Sequence, residues 1–293
     1  MSTPRWLRAF ALAVSAAAPL LAAAPAAHAW DPPVHRSDAG VDLYLWSAEY
    51  YGTSLAAVPF VQFEPTPDLF INLQFPVALS IDSRRGGLDI RSESRAGLGN
   101  PTFALYYSDI DRKLTWYAGG RLSLPLGAVD DLDWRWATSS AAWAMALYDA
   151  HLWATDTIPI GGFGGIEYRF GRPFVLRAGG DLTFFPSLSD GPRSIGYVDS
   201  NDLDVVFQAK VEPEFQSRAG FGGGVSLRMA WIPTAPDRVD DAQVSLMPYF
   251  VYDSQKTFFM RAGLLLALDE PAGPAFDRGQ VASLYLQFGG HLD

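Results

Sequence analysis

Two couples of side chains near the middle of the chain have the residue types of a hydrolytic site. Asp131 and Asp133 lie in an acidic stretch, and Asp149 lies two residues before His151. A water molecule held between carboxylates and polarised by a His–Asp pair can attack a peptide bond. No local serine motif accompanies His151. We therefore expect solvated loop acids and a structural histidine, and we predict that the chain is not an enzyme.

A larger set of charged residues shares one phase of alternating segments. Each member falls opposite bulky aliphatic neighbours, as Arg261 does opposite Met260 and Leu264. If these segments are strands, the whole set points to one polar face. The residues that we expect to line a polar lumen are Arg121, Glu167, Arg169, Arg177, Asp181, Lys210, Glu212, Arg228 and Arg261.

The elements that carry these charges are predicted to be β-strands. From Asp68 to Asp82, apolar residues from Leu69 to Ile81 alternate with mostly polar or small ones. A strand points successive side chains to opposite faces, so this one has an apolar face and a polar face. The same pattern recurs down the chain, which contains few helix signals.

Two all-β architectures are consistent with the alternation, a soluble sandwich and a transmembrane barrel. A charged side chain on a lipid-facing surface costs ~2–4 kcal/mol near the bilayer midplane, and the sorting of charges avoids that cost. The predicted strands run about 10 to 14 residues, which suits a tilted bilayer crossing better than a sandwich. Only three residues are lysine, fewer than a soluble outer face would carry. We predict an antiparallel transmembrane β-barrel.

The number of strands is open between twelve and fourteen. Thirteen segments are candidates, and single-chain bacterial barrels close with an even number. Residues 138–157 have an ambiguous phase, and a division at Tyr148–Asp149 gives fourteen strands. Twelve result if one weak element, either Val41–Trp46 or part of residues 138–157, is not an independent strand. We favour twelve, although a regular alternation of short turns and long loops favours the division.

The connections predict the orientation of the barrel. Outer-membrane barrels have short periplasmic turns and long extracellular loops. The short connections lie near 65–68, 109–112, 171–173 and 254–256. The long connections lie at 83–96, 126–137, 187–202, 232–241 and 269–280, and the first of them is predicted to be a charged loop.

The N-terminus resembles a secretory signal. Arg5 and Arg8 precede an apolar stretch from Ala9 to about Ala24, and Ala27-His28-Ala29 fits a small-x-small cleavage site. We therefore divide the chain into a cleaved signal over 1–29 and a barrel domain over 30–293. No other segment reaches the ~20 apolar residues of a membrane helix.

Composition excludes several classes of protein. Without Arg5 and Arg8, 20 basic and 32 acidic residues remain, which gives a formal charge of −12. A nucleic-acid-binding protein would carry a basic surface instead. The chain contains no cysteine, so a disulfide or thiolate metal site is excluded. Acidic clusters at 199–204 and 237–241 do not match a calcium loop. We predict no cofactor and no metal.

Two stretches resemble a known family. Residues 59–81 (PFVQFEPTPDLFINLQFPVALSI) and 94–107 (SRAGLGNPTFALYY) resemble the outer-membrane transporter family named for the MetA pathway of phenol degradation. Asn100 replaces the usual Asp, and Leu126, after Pro125, replaces the usual Thr. The resemblance implies a passive outer-membrane channel for small solutes, with hydrophobic or aromatic solutes as one class.

These patterns together predict a passive channel or transporter in the outer membrane of a Gram-negative bacterium. Its expected partners are outer-membrane lipid and lipopolysaccharide, the barrel-insertion machinery and a small-molecule solute, with no nucleic acid. Two alternatives stay open, a structural or adhesive barrel and a hydrolase. The Asp131–Asp133 and Asp149–His151 couples resemble those of omptin proteases, but they lie only 16 residues apart (133 to 149) and omptin couples are widely separated.

Overall fold

A single antiparallel sheet that closes on itself dominates the structure. The computed structural model describes residues 37–48, 52–86, 89–110, 113–126, 132–170, 173–188, 194–195, 198–199, 202–234, 241–254, 256–268 and 282–292. The expected signal over 1–29 lies outside these ranges, as do parts of the long connections.

The described strands and helices follow one another along the chain with mostly local pairing. The strands are β1 (Asp38–Ala48), β2 (Gly52–Thr66), β3 (Leu69–Gln74), β4 (Val77–Gly86), β5 (Asp89–Leu98), β6 (Thr102–Ile110), β7 (Leu114–Ser123), β8 (Ile160–Arg169), β9 (Phe174–Pro186), β10 (Ser194–Ile195), β11 (Val198–Asp199), β12 (Leu203–Gln216), β13 (Phe221–Trp231), β14 (Ala242–Asp253), β15 (Phe258–Ala267) and β16 (Ala282–His291). The helices are α1 (Leu132–Ala144) and a 3₁₀ turn at Ala150–Leu152.

The ring contains twelve strands and closes between the two ends of the chain. β1 pairs with β2 on one side and with β16 on the other, with Leu43 opposite both Ala57 and Leu286. From β16 the ring runs through β15, β14, β13, β12, β9, β8, β7, β6, β3 and back to β2. The prediction of a twelve-stranded antiparallel barrel is therefore confirmed, and the alternative of fourteen is wrong.

β4 and β5 form a hairpin that continues the ring strands β3 and β6 at one end of the barrel. A break at Phe75–Pro76 separates β3 from β4, because proline has no N–H to donate to a neighbouring strand. β5 pairs with β4 alone among the described strands. The prediction of a charged loop over 83–96 is wrong, since residues 83–86 and 89–96 belong to the paired strands of the hairpin.

The outer surface of the ring is apolar. Large apolar side chains that stand two residues apart, such as Leu105 and Tyr107, or Leu182 and Phe184, are exposed. Aromatic rings gather at one end of the barrel, beside the short turns. There Tyr107 packs against Trp116, and similar ring pairs join Tyr168 to Phe170, Phe174 to Phe215, and Tyr252 to Phe221 and Phe258. Such a band of rings is typical of a barrel at a membrane–water interface.

The connection between β7 and β8 folds into the lumen, and we call residues 132–159 the plug. Trp143 in α1 packs edge-on against Trp46, an inward side chain of β1, with ring centroids 5.6 Å apart. On the opposite side of the ring, the amide of Gln208 on β12 donates to the Leu147 carbonyl at 3.1 Å. The plug therefore crosses the lumen at the end of the barrel away from the short turns.

Of the two interpretations left open for residues 138–157, the division into two strands is wrong, and the one in which the segment adds no independent strand is confirmed. Residues 138–157 form the rest of α1, a series of turns and the 3₁₀ turn, with no division into two strands at Tyr148–Asp149. Residues 137–148 are all buried, so the segment is apolar or small on every side. A segment buried all round lacks the periodicity that separates a helix from a strand. In the part of the chain that the structure describes, no helix is long and apolar enough to cross a membrane.

Candidate solute cavity and its plug

A cavity of about 500 Å³ occupies the half of the barrel that the plug leaves open. It extends to the strand ends beside the short turns, where Asp253 and His291 line it. Its volume falls within the ~300–1,000 Å³ of small-molecule sites. The alternation of each strand brings its polar phase to this cavity, because the apolar phase faces outward.

One wall of the cavity is an ionic network on β8, β9, β12 and β15. The Arg177 guanidinium donates to Glu167 at 2.7 Å and to Glu214 at 2.7 Å. Arg169 also pairs with Glu167, and an Arg261 Nη2 atom lies 3.5 Å from Glu214. Because each buried carboxylate has at least one cation beside it, the network avoids the large cost of an isolated buried charge.

Glu212 is the centre of a looser part of the same wall. The Lys210 ammonium lies 3.5 Å from one carboxylate oxygen of Glu212, and Arg261 Nη1 lies 3.9 Å from the other. These contacts are too long for strong hydrogen bonds. Lys210 and Arg261 therefore stabilise the Glu212 carboxylate by charge attraction rather than by well-aligned hydrogen bonds.

The rest of the cavity lining carries aromatic rings and amides. Phe60 on β2 lies 6.4 Å from Phe259 on β15, and Tyr106 on β6 packs 5.8 Å from Phe163 on β8. The Asn72 amide nitrogen on β3 donates to Gln62 on β2 at 3.4 Å. The cavity therefore combines a charged wall with aromatic rings that suit apolar or weakly polar groups, and two of these rings stand on strands of the charged wall itself.

Glycines in the neighbouring strands make room for two of the tyrosines. A Cβ on Gly224 would lie 2.7 Å from the Tyr249 hydroxyl, which donates to Glu214 at 2.7 Å across β13. A Cβ on Gly165 would lie 2.5 Å from the Tyr117 hydroxyl. These two positions require glycine because a ring lies over the backbone.

The plug is held at its centre by a cluster around Arg121 on β7. Arg121 forms an ion pair with Asp181 on β9 at 2.5 Å, and its Nη1 lies 3.9 Å from Asp149 in the plug. The same Nη1 lies 3.4 Å from Nε2 of His151, and Nη2 lies 3.4 Å from the Thr183 hydroxyl. The plug and two strands of the wall therefore meet at one guanidinium.

Further polar contacts fix the plug backbone. Gln208 accepts from the Asp149 amide at 3.2 Å while it donates to Leu147, and Asn100 donates to the carbonyl of Ala154 at 2.6 Å. The Arg228 guanidinium lies 5.0 Å above the ring of Tyr148, within cation–π range. Backbone groups that a loop would normally leave to water are thus satisfied inside the lumen.

Burial sets the protonation of two plug side chains, His151 and Tyr148. The His151 side chain is buried, and its loss of solvation together with the neighbouring Arg121 charge holds its pKa well below the usual value of 6.5. Burial also raises the pKa of Tyr148 well above its usual value. Both side chains are therefore neutral at pH 7.

The structure brings together most of the charged residues singled out in the sequence. Six of them line the cavity: Arg121, Glu167, Arg177, Lys210, Glu212 and Arg261. Arg169 pairs with Glu167 beside the cavity, Asp181 pairs with Arg121, and Arg228 contacts the plug. Their role as the contacts of a passing solute stays a prediction.

The sequence interpretation missed Glu214, the partner of both Arg177 and Arg261. The predicted lumen set ends at Glu212 on this strand, although Glu214 stands two residues on and so faces the same side. Of the residues weighed as a hydrolytic site and expected not to form one, Asp131 lies outside the described residues. His151 is 2% exposed and contacts Arg121.

The fold is similar to that of known barrels. A COG4313 outer membrane channel from Pseudomonas putida F1 superposes with a TM-score of 0.58 and 16% identity, over 89% of this chain and 99% of that one. The chain has the fold of an outer-membrane β-barrel. The NanC porin (TM-score 0.48, 6% identity, 86% and 99% covered) and the Pseudomonas putida toluene transporter TodX (0.43, 12%, 92% and 92%) are less similar. No protein-family model and no curated protein sequence matches the chain.

Proposed function

We propose that the protein spans the outer membrane of a Gram-negative bacterium and is a passive channel for small solutes with hydrophobic or aromatic bodies. The observation that carries the proposal is the cavity of about 500 Å³ inside a ring whose outer face is apolar. An apolar exterior suits lipid, and a cavity with polar and aromatic walls suits a small solute. The fold shared with an outer membrane channel supports the same proposal.

In this proposal the nine charged residues lie along the solute path, on both sides of the plug contacts. The short turns face the periplasm, so the cavity opens towards the periplasm and the plug lies on the extracellular side. The resemblance of residues 59–107 to the phenol-pathway transporter family supports an aromatic solute. That family assignment remains a prediction.

Transport also requires the plug to move. Residues 137–148 are buried and reach from β1 to β12, so they obstruct the lumen above the cavity. The plug is held by polar contacts at Asn100, Arg121 and Gln208 and by apolar packing such as that of Trp143 against Trp46, and opening has to separate both while the ring stays paired. The proposed channel is therefore closed at rest and opens by local rearrangement.

Three further proposals concern biogenesis and surroundings. Residues 1–29 are removed as a secretory signal, and residues 30–293 form the mature barrel. The barrel-insertion machinery places it in the membrane, where its outer face contacts lipid and its long loops contact lipopolysaccharide.

Single-channel recording tests the proposal. The full chain is expressed with its leader, purified from outer membranes and reconstituted in a planar bilayer, with and without benzyl alcohol in the bath. We expect rare openings that the aromatic solute blocks or prolongs. A folded, heat-modifiable barrel that never conducts, with or without benzyl alcohol in the bath, would contradict a channel and favour a structural or adhesive barrel.

A further inference from the structure

The charged wall of the cavity presents its cations and hides its carboxylates. The Lys210 side chain is 32% exposed, whereas Glu212 beside it is 2% exposed. Arg261 is 20% exposed against 1% for its partner Glu214. Because these side chains line the cavity, the exposed atoms are the ones that a solute inside it would meet.

The next ion pair along the wall also has an exposed cation and a buried carboxylate. Arg177 is 15% exposed, and the carboxylate of Glu167 that it contacts is 1% exposed. The carboxylates lower the net charge of the wall but stand behind the guanidinium and ammonium groups. Short-range hydrogen bonds depend on the groups within reach, and here those groups are donors only.

The other carboxylates that line the cavity already accept hydrogen bonds. Asp38 and Asp253 contact the two ring nitrogens of His291 at 2.7 and 3.1 Å, beside the short turns. Asp42 accepts from the Tyr285 hydroxyl at 2.9 Å. Acidic groups thus lie at the mouth and at one edge, and exposed cations lie on the main charged wall.

Two phenylalanine rings beside the charged wall can hold a flat apolar group: Phe60 on β2, and Phe259 on β15, two residues before Arg261. Both rings lie over glycines, since a Cβ on Gly40 would be 2.9 Å from Phe60 and a Cβ on Gly289 would be 2.6 Å from Phe259. The glycines let both rings lie close to the backbone of β1 and β16, next to the cations. Stacked or edge-on contacts with such rings favour another aromatic group.

We infer that the cavity selects a small solute in which an aromatic body carries one carboxylate, with Lys210, Arg261 and Arg177 binding the carboxylate and the Phe60–Phe259 pair holding the ring. The inference rests on the proposed channel function and narrows its solute class. Lys210 is the principal specificity residue, because it is the most exposed of the three and the least tightly paired.

Equilibrium binding of three matched probes to the detergent-solubilised full-chain protein tests the inference. Benzoate, benzyl alcohol and benzylammonium share a ring and differ in charge. By titration calorimetry at pH 7.5, we expect benzoate to bind about tenfold more tightly than benzyl alcohol, and benzylammonium most weakly. Lys210→Met should remove that preference by weakening benzoate binding, and Lys210→Arg should retain it. Lys113→Met, at an exposed turn, is the matched control and should leave the affinities for all three probes unchanged.

Each outcome decides the matter. Benzoate that binds no better than benzyl alcohol, or a preference that survives in Lys210→Met, would overturn the inference. The probe series in the unsubstituted protein decides it even if the Lys210 variants fail to fold. Channel openings in the planar bilayer without any benzoate preference would leave the channel standing and the inference refuted. Lys210-dependent benzoate binding without channel openings would support the site and refute the channel.

Discussion

Nη1 of Arg121 lies 3.4 Å from Nε2 of His151, so the strand wall and the plug meet through one guanidinium and one imidazole. Arginine can only donate, and Nε2 must therefore accept, which requires a neutral imidazole with its proton on Nδ1. Asp181 and Asp149 also face this guanidinium and are attracted to it. The contact is compatible with neutral His151 and incompatible with the protonated form.

Acid should release the plug. The seated plug holds the pKa of His151 well below 6.5, so the released plug binds a proton that the seated plug does not. The seated state is therefore fully stable above pH 6.5 and loses stability as the pH falls below that value, by up to about 1.4 kcal/mol per pH unit. Because the chain has no cysteine, Ala154→Cys gives a single buried thiol whose labelling rate reports release.

Between pH 7.5 and 5.5 we expect that labelling rate to rise by up to about tenfold, relative to the exposed control Lys113→Cys. His151→Gln keeps a side chain that can accept from Arg121 but cannot be protonated in this range, so it should abolish the rise. An unchanged pH response in the His151→Gln background would refute the role of the imidazole.

A disulfide should lock the plug to the wall. A Cβ on Gly97 of β5 would lie 3.5 Å from the Cβ of Ala137 in α1, which is within disulfide range. We expect Gly97→Cys combined with Ala137→Cys to oxidise readily, with a shift in gel mobility that reductant reverses. Channel current should be absent before reduction and appear after it. If both thiols stay open to alkylation after oxidation, α1 does not lie against β5.

A charge on the outer face should destabilise the barrel according to depth. Leu264→Arg, in the middle of β15, should lower the free energy of unfolding by ~2–4 kcal/mol, because the guanidinium would face hydrocarbon. Phe258→Arg, on the same face at the short-turn end, is the matched control and should cost ~0–1 kcal/mol. Urea titration of the refolded protein measures both. Equal effects at the two depths would contradict a bilayer around this face.

The glycine under Tyr249 should be intolerant of a side chain. Gly224→Ala would place a methyl group 2.6 Å from the Pro213 carbonyl and 2.7 Å from the tyrosine hydroxyl, so Tyr249 must leave Glu214. We expect a loss of ~1–3 kcal/mol in the same urea titration, as for overpacking. Gly120→Ala meets its nearest atom at 3.6 Å and should be close to neutral. Two equally stable variants would show that the tyrosine does not need this space.

The sequence predicted the wall of the barrel well because each strand in it has two different environments. Glu167 and Arg177 were assigned to the inner phase from alternation alone, and the structure pairs them across β8 and β9. The plug could not be predicted in the same way, since residues 137–148 are buried on all sides and carry no alternation. The β4–β5 hairpin was missed because its charges concealed a strand that depends on backbone pairing.

The contacts between Glu214 and its two arginines could have been anticipated only by extending a strand past Pro213. Proline is usually a reason to end a strand, and here it occupies the outward phase of β12. The packing of long side chains from four strands decides which cation faces the cavity and which carboxylate lies behind it. Alternation assigns a face to each residue, but it does not order the residues within that face.

The plug is part of the same chain as the wall and is attached to it at both ends, through β7 and β8. Closing after an opening is therefore a unimolecular event, with an effective concentration set by the short tethers and independent of how many copies occupy the membrane. A tethered plug cannot dissociate from the barrel, and ligands in the external solution do not change its local concentration. The duration of an opening should thus be a fixed property of each molecule.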